Sequence, residues 1–205
     1  MNMPLTVRWH GIRDYLEVSN EMLSFTDNRT EQTNDELWLL QHYPVFTQGT
    51  SCNQLPDTNP DNIPVIKSSR GGQISYHGPG QLIVYLMLDI KRLGIGPRSL
   101  VNRVEQGIIE LLDQFSLQGT RRQGAPGVYI DGAKIAALGL RIRNGKSFHG
   151  LSLNVDMDLR PFQYIDPCGL PDMPVTQLSD QGVSAELRQV GNDLVVKLQN
   201  QFQWS

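Results

Sequence analysis

Apolar and polar positions recur at two different periods along this chain, and the changes of period mark its elements. "LTVRWH" (5–10) reads as a short strand, and residues 13–26 suit a helix with Leu16, Asn20 and Leu23 on one face. "ELWLLQHYPVFTQG" (36–49) is apolar and aromatic, and Pro44 interrupts it as a strand that ends in a loop. Residues 50–62 are polar and hold two prolines, the composition of a surface loop. "IPVIKSS" predicts a strand. "QISYHGPGQLIVYLMLDI" predicts a strand, a turn at His77–Gly80 and a long buried strand. Over 99–117, Leu100, Val104, Ile108, Leu111, Leu112 and Phe115 recur at helical spacing, with Gln118-Gly119 as the stop.

Residues 127–155, "GVYIDGAKIAALGLRIRNGKSFHGLSLNV", carry Asp131-Gly132 and Asn144-Gly145 between β-rich runs. Both dipeptides favour two-residue hairpin turns, so three antiparallel strands in succession are expected. Residues 156–180 are irregular, with Pro161, Pro167, Pro171 and Pro174. Leu194, Val195, Leu198 and Phe202 then lie on one face of a C-terminal helix. The fold class is α/β (α+β): a mixed, largely antiparallel sheet flanked by helices, in a single domain over 1–205.

Composition narrows the function. Of 205 residues, 39% are hydrophobic and 19% charged, enough apolar content for a sizeable core. A net charge of −3 lacks the basic footprint of a general nucleic-acid binder. No run approaches the ~20 apolar residues of a membrane span, and the N-terminus lacks the pattern of a signal peptide. A cytoplasmic, reducing location follows from this reading. Two cysteines, Cys52 and Cys168, make neither a disulfide framework nor a four-ligand zinc site. Four dispersed histidines, His10, His42, His77 and His149, have no metal-ligand spacing, and no metal is expected.

Several residues have both a bland and a chemical reading. Cys168, in "YIDPCGLPD", sits in a loop where a thiol is accessible. Acting as a nucleophile would need an activator from elsewhere in the fold, because neighbouring Asp166 opposes thiolate formation. Lys134 opens "KIAALGL", a run with no other charge. By base rate it is an exposed lysine that snorkels; at the edge of an apolar pocket it becomes a candidate base. His77 is by base rate a solvated turn residue, and His149 a half-buried histidine with a satisfied hydrogen bond. His10 and His42 carry no further signal. Arg70, Gly71 and Gly72 would suit a phosphate cradle, but neither GxxxxGK[ST] nor GxGxxG is present.

Four segments together resemble one known family. "RGGQISYHGPGQLIVY" (70–85), residues 127–155 and "PCGL" (167–170) are similar to the signature blocks of lipoyl(octanoyl) transferases, and "LWLLQHYPVFTQG" (37–49) to their N-terminal block. The likeness runs in order from about Leu37 to Leu178. Ser75 departs from the usual threonine and keeps the hydroxyl. The resemblance implies the fold of the biotin and lipoate protein ligase catalytic domain. It also implies transfer of an octanoyl group from the 4'-phosphopantetheine thioester of acyl carrier protein to a lysine of a lipoyl domain. Acceptors would be the E2 subunits of 2-oxoacid dehydrogenases and the glycine cleavage H protein. It makes Cys168 the acyl-thioester nucleophile and Lys134 its base, with no ATP and no other cofactor. Arg70, Gly71, Gly72, Gln73, Ile74, Ser75, Tyr76 and His77 would wall the acyl or pantetheine site, with Ala137, Leu138, Gly139, Gly150, Leu151 and Ser152. Oxyanion donors are expected among backbone N–H groups at Leu138-Gly139 and Gly150-Leu151.

An apolar slot for about seven methylene-sized groups is worth at most about 5–6 kcal/mol. One methylene more or less changes that preference by about tenfold or a little more. Arg121-Arg122 and the Arg141, Arg143, Lys146 turn are the densest basic spots for an acidic carrier. Three alternatives stay open: an ATP-dependent lipoate or biotin ligase, an amidotransferase between lipoyl domains, and a non-catalytic module that binds acyl carrier protein.

Overall fold

The structure, a computed structural model, describes residues 4–52, 55, 56, 58–165 and 173–204. Nine strands and three α-helices are set out among them. Strand β1 (Leu5–Arg13) leads into α1 (Tyr15–Asn28), whose N-terminal amides at Leu16 and Glu17 donate to the Asp14 carboxylate at 2.8 and 3.1 Å. That cap satisfies two of the orphan donors every helix start leaves. Strand β2 (Asp35–His42) follows and lies parallel to β1. Then come β3 (Val45–Gln48), β4 (Val65–Lys67), β5 (Ile74–His77), β6 (Gln81–Met87), α2 (Pro97–Gln114), β7 (Gly127–Ile130), β8 (Ala133–Arg143), β9 (Lys146–Asn154) and α3 (Leu187–Phe202).

The strands form two sheets. Six make the large one, in the order β1-β2-β6-β9-β8-β7, and three make the small one, β4-β3-β5. Apart from β1, the large sheet is antiparallel. Both hairpin turns form where expected. Asp131, Gly132, Asn144 and Gly145 all have positive φ, 48°, 83°, 52° and 77°, as a two-residue turn matched to strand twist requires.

The unbroken apolar runs of β2 and β6 have a direct cause: both faces of the large sheet are covered. Leu37, Leu39, Leu82, Val84 and Leu86 face Leu100, Val104 and Ile108 of α2 and Leu194 and Leu198 of α3. Trp38, Leu40, Ile83, Tyr85 and Met87 face Val18 and Met22 of α1. Each such buried aliphatic contributes about 1.5–3 kcal/mol relative to exposure. The face expected for α1 is corrected. Leu16 is exposed and Tyr15, Val18, Met22 and Thr26 are buried, because helical spacing allowed two phases and the sheet takes the bulkier one. The second helix also starts and stops earlier than the spacing suggested, at Pro97 and Gln114.

Pro44 and the His77–Gln81 step pass the chain between sheets. β2 and β3 form no single strand, and β5 and β6 do not pair with each other. At the second step Gly80 has φ +85°, and a Cβ there would lie 1.8 Å from the Asp156 carbonyl. Only glycine fits, and the Gly80 carbonyl accepts from the Val155 and Asp156 amides at 3.2 and 3.0 Å.

Candidate active site

A cleft of about 450 Å³ opens where the two sheets meet. Its walls are the loop before β5, strand β8 from Lys134 to Leu140, and the start of α2 at Pro97 and Val101. Arg70, Gly71, Gly72, Gln73, Ile74 and Ser75 line one side, and Ala137, Leu138, Gly139 and Ser152 another. His77, Gly150 and Leu151 border a smaller chamber that shares part of the same wall. The fold thus brings three segments distant in sequence to one place. Tyr76 is the exception: its ring packs with Phe46, Ile74 and Phe162 in the core under the small sheet.

Lys134 is not the exposed lysine that base rates favour. It is 4% exposed, on the cleft wall, with its Nζ 5.2 Å from the centre of the Tyr129 ring. Its backbone is held from both sides: Lys134 N donates to Pro174 O at 2.8 Å, and Thr176 N donates to Lys134 O at 2.9 Å. The segment that follows "PCGL" is therefore stitched to the strand carrying the lysine. Cys168 itself, with Asp166, Pro167, Gly169 and Leu170, lies outside the described residues.

Arg70 crosses directly over Gly139, where a Cβ would come 3.1 Å from Arg70 Cδ and 3.3 Å from the Gly71 carbonyl. The guanidinium is turned onto Thr47, with Nε donating to Oγ1 at 3.0 Å and Nη2 to the carbonyl at 2.5 Å. Arg70 thereby clamps β3 to the cleft wall. Leu138 and Gly139 lie on β8 beyond the last residue paired with β7, where the Gly71 amide reaches in to the Leu140 carbonyl at 3.2 Å. Gly150 and Leu151 differ. They pair with β6 on one side and β8 on the other, so their amides belong to interior ladders and are not available as oxyanion donors.

His77 is also corrected. It is 8% exposed and hydrogen-bonded at both nitrogens: Nδ1–H donates to Gln81 Oε1 at 2.7 Å, and Nε2 accepts from Thr47 Oγ1 at 3.2 Å. Gln81 Nε2 donates to Asn154 Oδ1 at 2.9 Å, and Asn154 Nδ2 donates to the Thr176 carbonyl at 2.9 Å. A continuous relay thus runs from Arg70 through Thr47, His77, Gln81 and Asn154 to the residue bonded to Lys134. Burial drives His77 down to about 3, with His42 and Arg70 adding to the effect, so the imidazole is neutral at ordinary pH.

His149 is more buried than expected, at 2% exposure, and sits at φ 58°. Its Nε2 meets Ser69 Oγ at 2.9 Å, and its buried Nδ1 finds no hydrogen-bond partner among the described residues. Sequence reasoning missed Tyr15, His42 and Tyr85. Tyr85 Oη donates to His42 Nε2 at 2.6 Å, because His42 Nδ1–H is committed to the Arg13 carbonyl at 2.9 Å. Tyr15 Oη bonds Ser68 Oγ at 2.5 Å. The available signal was polar tips inside apolar runs, "LLQH" and "LIVYLM", since a buried phenol or imidazole needs a partner.

The basic spots separate. Arg121 is tied to Glu105 at 3.1 Å and to Gln106 at 2.8 Å, while Arg143 pairs with Asp27 of α1 and Lys146 bonds the Arg29 carbonyl. Among the described residues no group of His, Cys, Asp and Glu could hold a metal, and no helix is long and apolar enough to cross a membrane.

The pattern of the lipoyl protein ligase A/B catalytic domain matches residues 14–199. An octanoyltransferase of Pseudomonas savastanoi pv. phaseolicola is 52% identical over 97% of this chain and 91% of its own length. One of Chromobacterium violaceum is 47% identical over 99% and 98%. Among solved structures, a bipartite lipoate protein ligase from Thermoplasma acidophilum superposes with a TM-score of 0.78 at 15% identity, covering 98% of this chain and 84% of that one. A biotin protein ligase from Aquifex aeolicus superposes with a TM-score of 0.60 at 12% identity, covering 97% and 70%. The structural likenesses establish the fold, and the sequence likenesses the lineage: this chain belongs to the lipoyl protein ligase A/B catalytic domain family.

Proposed function

We propose that this chain takes an octanoyl group from the pantetheine thioester of acyl carrier protein and delivers it to a lysine of a lipoyl domain, through a thioester on Cys168. Relatives about half identical over nearly their whole length are octanoyltransferases. The acceptors are E2 subunits of 2-oxoacid dehydrogenases and the glycine cleavage H protein, in the cytoplasm. The observation that carries the chemistry is Lys134, a buried amine on the wall of a largely apolar cleft, bonded to the segment that follows "PCGL".

In the first half-reaction the Cys168 thiolate attacks the octanoyl carbonyl, and the carrier's pantetheine leaves as a thiol. One thioester replaces another, so ATP is not required. In the second, the acceptor amine attacks the Cys168 thioester, an amide forms, and the cysteine thiol is released. Lys134 accepts the proton from Cys168 in one step and from the acceptor lysine in the other. Backbone N–H groups of β8 near Leu138-Gly139 supply the oxyanion contacts. Leu138, Leu140 and Val101 offer apolar surface to the acyl chain or the pantetheine arm.

The test is an intact mass spectrum after incubation with octanoyl-acyl carrier protein and no ATP. The expected result is one octanoyl adduct that hydroxylamine removes and Cys168→Ala abolishes. Turnover without an adduct would assign direct transfer instead. No adduct and no turnover would favour an ATP-dependent ligase or a carrier-binding module.

A further inference from the structure

Beside the cleft that holds Lys134, at Ala137 and Gly139, lies a smaller chamber of about 50 Å³. The two cavities share Arg70, Ser75, Ala137, Leu138, Gly139 and Ser152, so they meet along that wall. The chamber's far wall is Tyr15, Ile83, Tyr85 and His149, which are 3%, 2%, 5% and 2% exposed. Ile83 and Tyr85 stand on the α1 face of β6, and Tyr15 comes from the first turn of α1.

Each ring of this wall is tethered by its polar tip. Tyr15 is held by Ser68, Tyr85 by His42 and His149 by Ser69, and none of these three anchors lines the chamber. The far wall is thus three hydrogen-bonded rings and the Ile83 side chain, and the polar residues Arg70, Ser75, His77 and Ser152 border the chamber elsewhere. A tethered ring cannot swing aside without leaving a buried hydrogen-bonding group unpaired. The volume is on the order of one or two water-sized groups at ~30 Å³ each.

We propose that this wall sets the acyl chain length: the methyl end of the octanoyl group stops against Ile83 and Tyr85, and a longer chain must displace a tethered ring. The inference rests on the proposed function. It assigns specificity to Tyr15, Ile83, Tyr85 and His149, none of which is among the residues that the resemblance named as the wall of the substrate site. A soft apolar pocket separates neighbouring chain lengths by about tenfold. A wall of pinned rings discriminates more strongly against added methylenes than against missing ones.

The test compares transfer of hexanoyl, octanoyl, decanoyl and dodecanoyl groups from acyl carrier protein to a lipoyl domain, in the wild type, Ile83→Val, Ile83→Ala and Tyr85→Phe. The decanoyl-to-octanoyl ratio of kcat/KM is expected to rise about tenfold in Ile83→Ala. Ile83→Val should give a smaller rise in the same direction. Tyr85→Phe keeps the ring, removes its tether and should raise the ratio as well. General structural damage would lower all chain lengths alike. Should Ile83→Ala fail to fold, the valine and phenylalanine variants decide the matter. Variants that transfer octanoyl with unchanged chain-length ratios overturn the ruler and leave the transferase standing. A wild type inert towards every carrier thioester overturns both.

Discussion

Gln81 donates from Nε2 to Asn154 Oδ1 at 2.9 Å, a buried side-chain bond between the small-sheet side of the cleft and the Lys134 side. On one side of it lie His77, Thr47 and Arg70; on the other lies Thr176, bonded to the lysine's own carbonyl. Asn154→Ala leaves the buried Thr176 carbonyl without this donor and the Gln81 amide with only the Tyr76 carbonyl at 3.4 Å, at a cost of about 1–3 kcal/mol. A loss near 2 kcal/mol lowers the melting temperature of a chain this size by about 4–8 °C. Thermal unfolding checks this, and a melting point within a degree of wild type would contradict it.

Gly139 admits Arg70, so Gly139→Ala forces the arginine stem or the Gly71 carbonyl to give by a few tenths of an ångström. The expected outcome is a severalfold rise in KM for the octanoyl donor with little change in melting temperature. Steady-state kinetics on the carrier thioester would show it.

Lys134→Met keeps most of the side-chain length and removes the amine. Loss of a general base costs about 10²–10⁴ in rate, and a fall of that size in kcat with an unchanged circular dichroism spectrum is expected. A variant within tenfold of wild type would remove Lys134 from the proton-transfer role.

Three buried histidines make stability depend on acid. Burial is the largest cause at each, and holds His42 at about 4 and His77 and His149 at about 3. In the unfolded chain they bind protons at about 6.5. The unfolded state therefore binds more protons below that pH. The stability from their neutrality is complete above about 6.5 and lost as pH falls towards about 4 for His42 and about 3 for His77 and His149. Each contributes a slope of about 1.4 kcal/mol per pH unit within that window. Urea midpoints measured at pH 7.5, 6 and 5 should fall steadily, and a flat profile would show that the rings are not held neutral.

Arg121 and Arg122 should behave differently. Glu105, 5% exposed, accepts from Arg121 and also from the Gly127 amide at 2.9 Å, so it fastens α2 to the start of β7. Arg121→Glu sets two carboxylates together there and should lower the melting temperature by several degrees. Arg122→Glu should leave it unchanged and raise KM only for the carrier-bound donor. Equal effects of Arg122→Glu on carrier and small-molecule thioesters would remove the docking role.

Much of this fold is local information. The Asp131-Gly132 and Asn144-Gly145 turns, the helical spacing of α2 and the apolar run of β6 are each written in a few consecutive residues. Turn chemistry and burial periodicity act over that range. The helix phase of α1 was not legible, because Leu16 and Tyr15 compete for the core and only the opposing sheet face decides between them. Nor was the division into two sheets. Pro44 and Gly80 mark breaks, but a break does not say with which strand the chain next pairs.

The site divides in the same way. The sequence by itself determined the family, through the order of its Arg-Gly-Gly, Lys134 and "PCGL" blocks, and it singled out the first two segments, which line the cleft. Only the tertiary structure decided how deep each residue lies. Lys134 and His77 read as surface residues, and His42 as uninformative, until α1, β3 and residues 173–176 close over them. Burial of a polar group is set by whatever elements arrive from elsewhere in the chain. Its partners, Thr47 for His77, Tyr85 for His42 and Thr176 for Lys134, stand tens of residues away, where no local pattern reaches.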